Sequence, residues 1–184
     1  MSCAHDNAKE FHLLGIVPLL LEVTKFSMES NEIKLASAAM SATRVLAVND
    51  EIVQALVASG LLDLCQEALK KYASNASLVA SAIGVFRNVS GNDEIKSHLC
   101  TNGSLQQMLL AMKLHMDSPT IAEHGCGTLA AMALRKTENV QHIFDCDGHN
   151  SMVVAMKRHP AVSDKIYRTI VIMKNLKVAN NITN

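Results

Sequence analysis

The chain repeats itself, and the repeat leaves few folds open to it. Four of its eight glycines close similar phrases: Phe11-His-Leu-Leu-Gly15, Leu56-Val-Ala-Ser-Gly60, Leu99-Cys-Thr-Asn-Gly103 and Phe144-Asp-Cys-Asp-Gly148. These glycines stand 45, 43 and 45 residues apart. Self-similarity at such a period marks stacked units, none of which buries its apolar face alone. Eight residues ahead of the last three glycines are Ile52, Ile95 and Val140, and four ahead of all four are Phe11, Leu56, Leu99 and Phe144. Apolar residues at i and i+4 share one face of a helix. Asn49-Asp50-Glu51, Asn92-Asp93-Glu94 and Thr137-Glu138-Asn139 open these short helices. Short polar side chains accept the free N–H groups of a first turn, and carboxylates suit its positive end. The closing glycine is read as the left-handed residue that stops each helix.

A second helix follows each glycine, over about Ile16–Met28, Leu61–Tyr72, Ser104–Met116 and Asn150–His159. A third follows a polar break, over Glu32–Val48, Ala76–Ser90, Pro119–Arg135 and Ala161–Val178. Pro119 and Pro160 sit at that break, where a proline removes no helical hydrogen bond. The third helices are almost uncharged: Leu35 to Val48 carries only Arg44, and Leu78 to Gly91 only Arg87. A helix apolar nearly all round is expected between neighbours. The repeats are therefore placed at about 6–48, 49–91, 92–136 and 137–178, followed by a polar tail at 179–184.

Composition supports an all-α chain. Apolar residues make up 49% of 184, which excludes a disordered tail protein. Six aromatics (four Phe, two Tyr, no Trp) are too few for a β-sandwich core of ordinary size. Seventeen basic residues balance seventeen acidic ones, so no global field draws the chain to nucleic acid or to an anionic membrane. The longest apolar run, Leu13 to Leu21, contains Pro18 and stops at Glu22, too short to span a bilayer. Asp6 and Glu10 occupy the place of the basic region that a signal peptide needs. The expectation is a reducing compartment, cytosol or nucleus, with Cys3, Cys65, Cys100, Cys126 and Cys146 as free thiols.

Val85-Phe-Arg-Asn-Val-Ser-Gly-Asn-Asp-Glu-Ile-Lys96 and Cys126-Gly-Thr-Leu-Ala-Ala-Met-Ala-Leu-Arg-Lys-Thr-Glu-Asn139 resemble the junctions between third and first helices in armadillo-repeat proteins. The resemblance runs from about Asp6 to Val178 and agrees with three helices per 43–45 residues. It implies a single armadillo-type right-handed superhelical solenoid over 1–184, non-catalytic and free of cofactors, and it implies longer relatives, of which this chain is expected to be a fragment or a short form. It also implies that the third helices line a concave groove. Equivalent positions there read Arg44, Arg87, Met132 and Lys174, and the next set Val45, Asn88, Ala133 and Asn175. Peptide-binding members of the family hold a ligand backbone with asparagine at that second set. Asn88 and Asn175 fit; Val45 and Ala133 do not, and the tryptophans that clamp lysines in some members are absent. Arg44, Arg87, Asn88, Lys174 and Asn175 are therefore the expected partner-binding residues. Arginine meets carboxylates in bidentate fashion, and an amide satisfies a peptide's N–H and C=O together, which points to an extended acidic segment of a partner protein. The opposing reading has these residues solvating a helix face, with the asparagines bonded to neighbouring helices.

Other chemistry finds little support. His142, Cys146 and His149 offer zinc-compatible donors, but Cys146 falls on an ordinary end-of-helix position and no second ligand pair completes a site. Gly125-Cys-Gly127 lacks the strand and lysine of a phosphate loop and reads as a place of close helix packing. Ser97-His98 and His124 with Cys126 are too close in sequence to face each other on a helix. Lys157, Arg158, Lys165, Arg168, Lys174 and Lys177 are dispersed and lack aromatic company, unlike a nucleic-acid surface. Finally, Ile166, Ile170, Val171, Ile172, Met173 and Leu176 make the last helix apolar on more than one face. Solenoid ends are normally polar, so either the chain is expected to continue or this end is expected to meet a partner or fold back; the alternative function is an architectural module that self-associates end to end through this repeat.

Overall fold

The computed structural model describes the backbone of residues 2–47 and 50–183, and their side chains except those of 2–6, 162, 165 and 176–183. The expectations placed on Cys3, Asn49, Lys165, Leu176 and Lys177 lie outside the described side chains. Among the described residues all regular structure is helical: α1 (Ser2–Leu13), α2 (Ile16–Glu29), α3 (Ile33–Leu46), α4 (Asp50–Ala58), α5 (Leu61–Lys71), α6 (Ala76–Val89), α7 (Asp93–Thr101), α8 (Ser104–Leu114), α9 (Pro119–Ala133), α10 (Thr137–Asp145), α11 (Gly148–Arg158) and α12 (Pro160–Thr183). The chain divides into two compact units, residues 1–89 and 90–184. Each holds six helices in the order short, second, third, twice over.

The corners follow from torsion and capping. Gly15, Gly60 and Gly103 take φ of +73°, +90° and +91°, and nothing stands where their Cβ would be. At these three turns the left-handed backbone alone favours glycine. Asn92 caps α7 by accepting from Glu94 N at 3.0 Å and Ile95 N at 3.2 Å. Ser118 caps α9 ahead of Pro119, and the Asn75 side chain accepts from Leu78 N at 3.0 Å to open α6.

Two local expectations are corrected. The fourth phrase turns one residue early: Asp147 holds the left-handed conformation at φ +62°, and Gly148 is already in α11. Its glycine answers a different need, since a Cβ would lie 2.8 Å from Ile143 Cγ2. Thr137 lies inside α10, whose N-cap is Lys136 without a side-chain bond. Through 179–183, the place of the expected polar tail, the backbone is still that of α12, which continues to Thr183 with no glycine or proline to stop it.

In the first unit α3 packs against α2 and α6, and α5 against α6, α2 and α4. Leu78, Val79, Ala82, Ile83, Val85, Phe86 and Val89 make α6 buried nearly all round, as its composition predicts. α3 differs, burying Ala36, Ala39 and Met40 while exposing Leu35 and Val45. In the second unit α12 packs on α11, α10 and α9, and α8 on α7, α9 and α11. Leu99, Leu105, Met108, Leu129, Met132, Ile143 and Met152 are fully buried there. Gly125 allows α9 to approach α8, since a Cβ would overlap the Met112 thioether. Among the described residues no single helix is long and apolar enough to cross a membrane. Two bent pairs, Asn7–Leu13 with Ile16–Glu29 and Asp50–Ala58 with Leu61–Lys71, match a span only in combined length and composition.

Candidate functional site

Arg44 stands in the last turn of α3 and Arg87 in the last turn of α6, both half-buried. A cation in a last turn offsets the negative end of the helix dipole. What sets these two helices side by side is a run of serines. Ser37 Oγ lies 2.7 Å from Ser77 Oγ and 3.3 Å from Ser81 Oγ, and Ser41 Oγ lies 2.8 Å from Ser81 Oγ. Small side chains let helix axes approach, and the hydroxyls satisfy one another where apolar packing is thin. Next along the seam the Asn88 amide Nδ2 donates to the Arg44 carbonyl at 2.7 Å.

The seam thus brings Arg44, Arg87 and Asn88 to one end of the α3–α6 pair. It also assigns Asn88 a structural bond: its amide closes a carbonyl at the end of α3, which a helix C-terminus leaves without an intrahelical donor. This is the helix-to-helix role weighed above against peptide clasping. Lys174 and Asn175 lie exposed on α12 of the second unit. Met132 and Ala133, the equivalents of Arg44 and Val45 in the third repeat, are buried in α9 and present no side chain to a surface. Asn139 Nδ2 donates to the Met132 carbonyl at 2.9 Å. The equivalent carbonyl is therefore closed in both units, by asparagines from different helices.

Two features of the second unit escape sequence reasoning. The first is Lys96, only 1% exposed. Its Nζ donates to the Leu134 carbonyl at 2.6 Å and pairs with Asp93 Oδ1 at 2.6 Å. That hydrogen bond from Lys96 holds the Asp93 carboxyl below its ordinary range. The available signal was the Asp93–Lys96 spacing of three on a helix. The second is a cleft of about 660 Å³ floored by Leu109, Met112, Met116, Ala122, Val154 and Ala155, with Cys146 at its wall. Leu110, an exposed apolar residue on α8, lines the same cleft.

Two of the three donors considered for zinc have other contacts. Cys146 Sγ accepts from Gln106 Nε2 at 3.4 Å, and the His149 ring stacks on Phe144 with centroids 4.5 Å apart. Among the described residues no group of three His, Cys, Asp or Glu side chains is placed to hold a metal ion. Cys65, Cys100, Cys126 and Cys146 are free thiols. Burial pushes the Cys65 thiol far up and those of Cys100 and Cys126 to about 12, so these three are poor nucleophiles at neutral pH. Compared with family models, with curated proteins and with solved structures, the chain gives no match.

Proposed function

We propose that the chain is an armadillo-type right-handed solenoid that works as a non-enzymatic protein-interaction scaffold in the cytosol or nucleus. On this reading the third helices form its binding face. An extended acidic segment of a partner protein lies across them, with Arg44, Arg87 and Lys174 meeting its carboxylates. The observation that carries the reading is the α3–α6 seam, where neighbouring third helices lie side by side and place Arg44 and Arg87 in equivalent last turns. Two half-buried guanidiniums on adjacent helices, whose axes stand about 8–10 Å apart, suit acidic side chains two or three residues apart on an extended strand. Asn88 enters as the brace that fixes the end of α3, and Asn175 is the exposed amide available to a peptide backbone.

The test is a fluorescence titration of the full chain with a labelled, extended, glutamate-rich peptide, comparing wild type with the Arg44→Glu, Arg87→Glu double variant. Each charge-assisted contact is worth about 1.5–3 kcal/mol, so the variant loses binding by more than about tenfold. Raising salt weakens the wild type in the same direction. Equal affinity in the two proteins, with helical circular dichroism unchanged, removes the third-helix face from the mechanism.

A further inference from the structure

The first unit shows what covers a third helix, and the same unit shows one that is uncovered. Ser81 and Asn88 on α6 bond to α3, and Leu78 and Val85 share their face of the helix. Moving back one repeat along the sequence register that equates Arg87 with Arg44, this face becomes Leu35, Ala38, Ala42 and Val45 on α3. Leu78 is 0% exposed, whereas Leu35 is 49% exposed, and Ala38, Ala42 and Val45 are open too. The second helices agree: Leu64 on α5 is 8% exposed and its equivalent Leu19 on α2 is 54% exposed. The open face of the first repeat therefore matches, position for position, the face through which α6 meets α3.

The matching half is present elsewhere in the chain. α3 meets α6 through Ser37, Ser41 and the Arg44 carbonyl. In the register that equates Arg44 with Lys174, these positions on α12 are Tyr167, Val171 and Lys174. All three are exposed, while Ile166, Ile170 and Met173 on the same helix are turned into the second unit. An apolar Tyr167–Val171 ridge thus stands where the internal seam has serines.

We propose that these two faces bind each other between copies: the α12 ridge of one copy seats on the α3 and α2 face of a second copy, reproducing the α3–α6 stacking between molecules. The occupant is a second copy because this one sequence carries both halves of an interface it already forms internally, and zero net charge puts no long-range repulsion between copies. The contact is heterologous, so copies join head to tail, in a closed ring or an open chain.

Light scattering on the full chain across a concentration series reads this directly. The wild type rises above its 19.9 kDa protomer mass as concentration increases. Leu35→Glu with Val45→Glu removes the receiving face, and Tyr167→Glu with Val171→Glu removes the ridge. Each double variant stays at protomer mass at concentrations at least tenfold above those at which the wild type associates. Mixing the two variants restores a dimer and nothing larger, because each keeps the half that the other lost. Ala38→Arg serves for the receiving face should the first double variant lose its helical circular dichroism. Leu110→Glu, an exposed apolar residue outside both faces, leaves assembly unchanged. A wild type at protomer mass throughout overturns the proposal. So does assembly that survives either double variant, a mixture that stays monomeric, or a Leu110→Glu protein that disperses equally.

Discussion

The two halves of the molecule solve the same fastening problem with different chemistry. In residues 1–89 the end of α2 is tied when the Tyr72 hydroxyl donates to the Met28 carbonyl. In residues 90–184 the equivalent Met116 carbonyl, also thirteen residues after a phrase-closing glycine, lies 3.0 Å from His159 Nε2. The carbonyl of Arg44 is closed by Asn88, and that of Met132, at the same place in its repeat, by Asn139. Around these shared points the first unit uses neutral hydroxyls, from Ser37 to Ser81. The second uses ionisable groups: Lys96 with Asp93, Arg158 with Asp117, and His159. Stacking helices dictates which carbonyls must find a donor. It leaves open which side chain supplies that donor.

That contrast is sharpest at Lys96. Lys96→Met keeps most of the buried volume and removes the ammonium, leaving the Leu134 carbonyl without the bond it now receives. The expected cost is about 2 kcal/mol, and about 4 kcal/mol for Lys96→Ala, which adds a cavity. For a chain of this length the first corresponds to a fall in Tm of roughly 4–8 °C. Hydrogen exchange should place the loss in residues 90–184. A loss spread equally over both units breaks the comparison.

The asparagine braces come next. Asn88→Ala and Asn139→Ala each unsatisfy one carbonyl, for an expected cost of about 1–2 kcal/mol by denaturant unfolding. Asn139 is almost wholly buried and Asn88 half-buried, so Asn139→Ala should be the more costly. The reverse order would make solvent access irrelevant to the brace.

Acid gives the smallest effect. The Asp93 carboxyl titrates below its unfolded value, which is near 3.9, because Lys96 donates to its charged form. Its stabilisation is therefore present above that unfolded value and vanishes as pH falls through the lower folded one. Asp93→Asn should flatten the fall in stability below about pH 4 in the second unit and leave the first unit unchanged. An acid response identical to wild type would show that the pair contributes nothing measurable.

The helices themselves were legible from residues. Periodic apolar positions and the glycine spacing place the starts of α2, α5, α6, α8 and α9 at Ile16, Leu61, Ala76, Ser104 and Pro119, as observed. Local signals suffice there because a cap or a corner acts over a few residues. Lys96 was not legible, since a lysine in an acidic first turn reads as solvated until its distant carbonyl partner is known. Asn88 is similar: the amide marks a hydrogen bond, while the carbonyl 44 residues away that accepts it is invisible in the local sequence. Gly148 misled for a third reason. Its glycine is demanded by Ile143 rather than by torsion, and Asp147 takes the turn instead. Apolar composition also could not separate α6, covered on its faces, from α3 and α12, which keep part of their apolar surface in solvent.

The empty space beside Gly15, Gly60 and Gly103 has a consequence for how freely such a sequence can drift. Where a bend is governed by backbone angle and no neighbour crowds it, asparagine and aspartate are admissible spellings of the same corner, as Asn31 and Asp147 already demonstrate in this molecule. The glycine rhythm that announces the architecture is thus its most erasable signature, and descendants of this chain can keep the stack while losing the marks by which it is read.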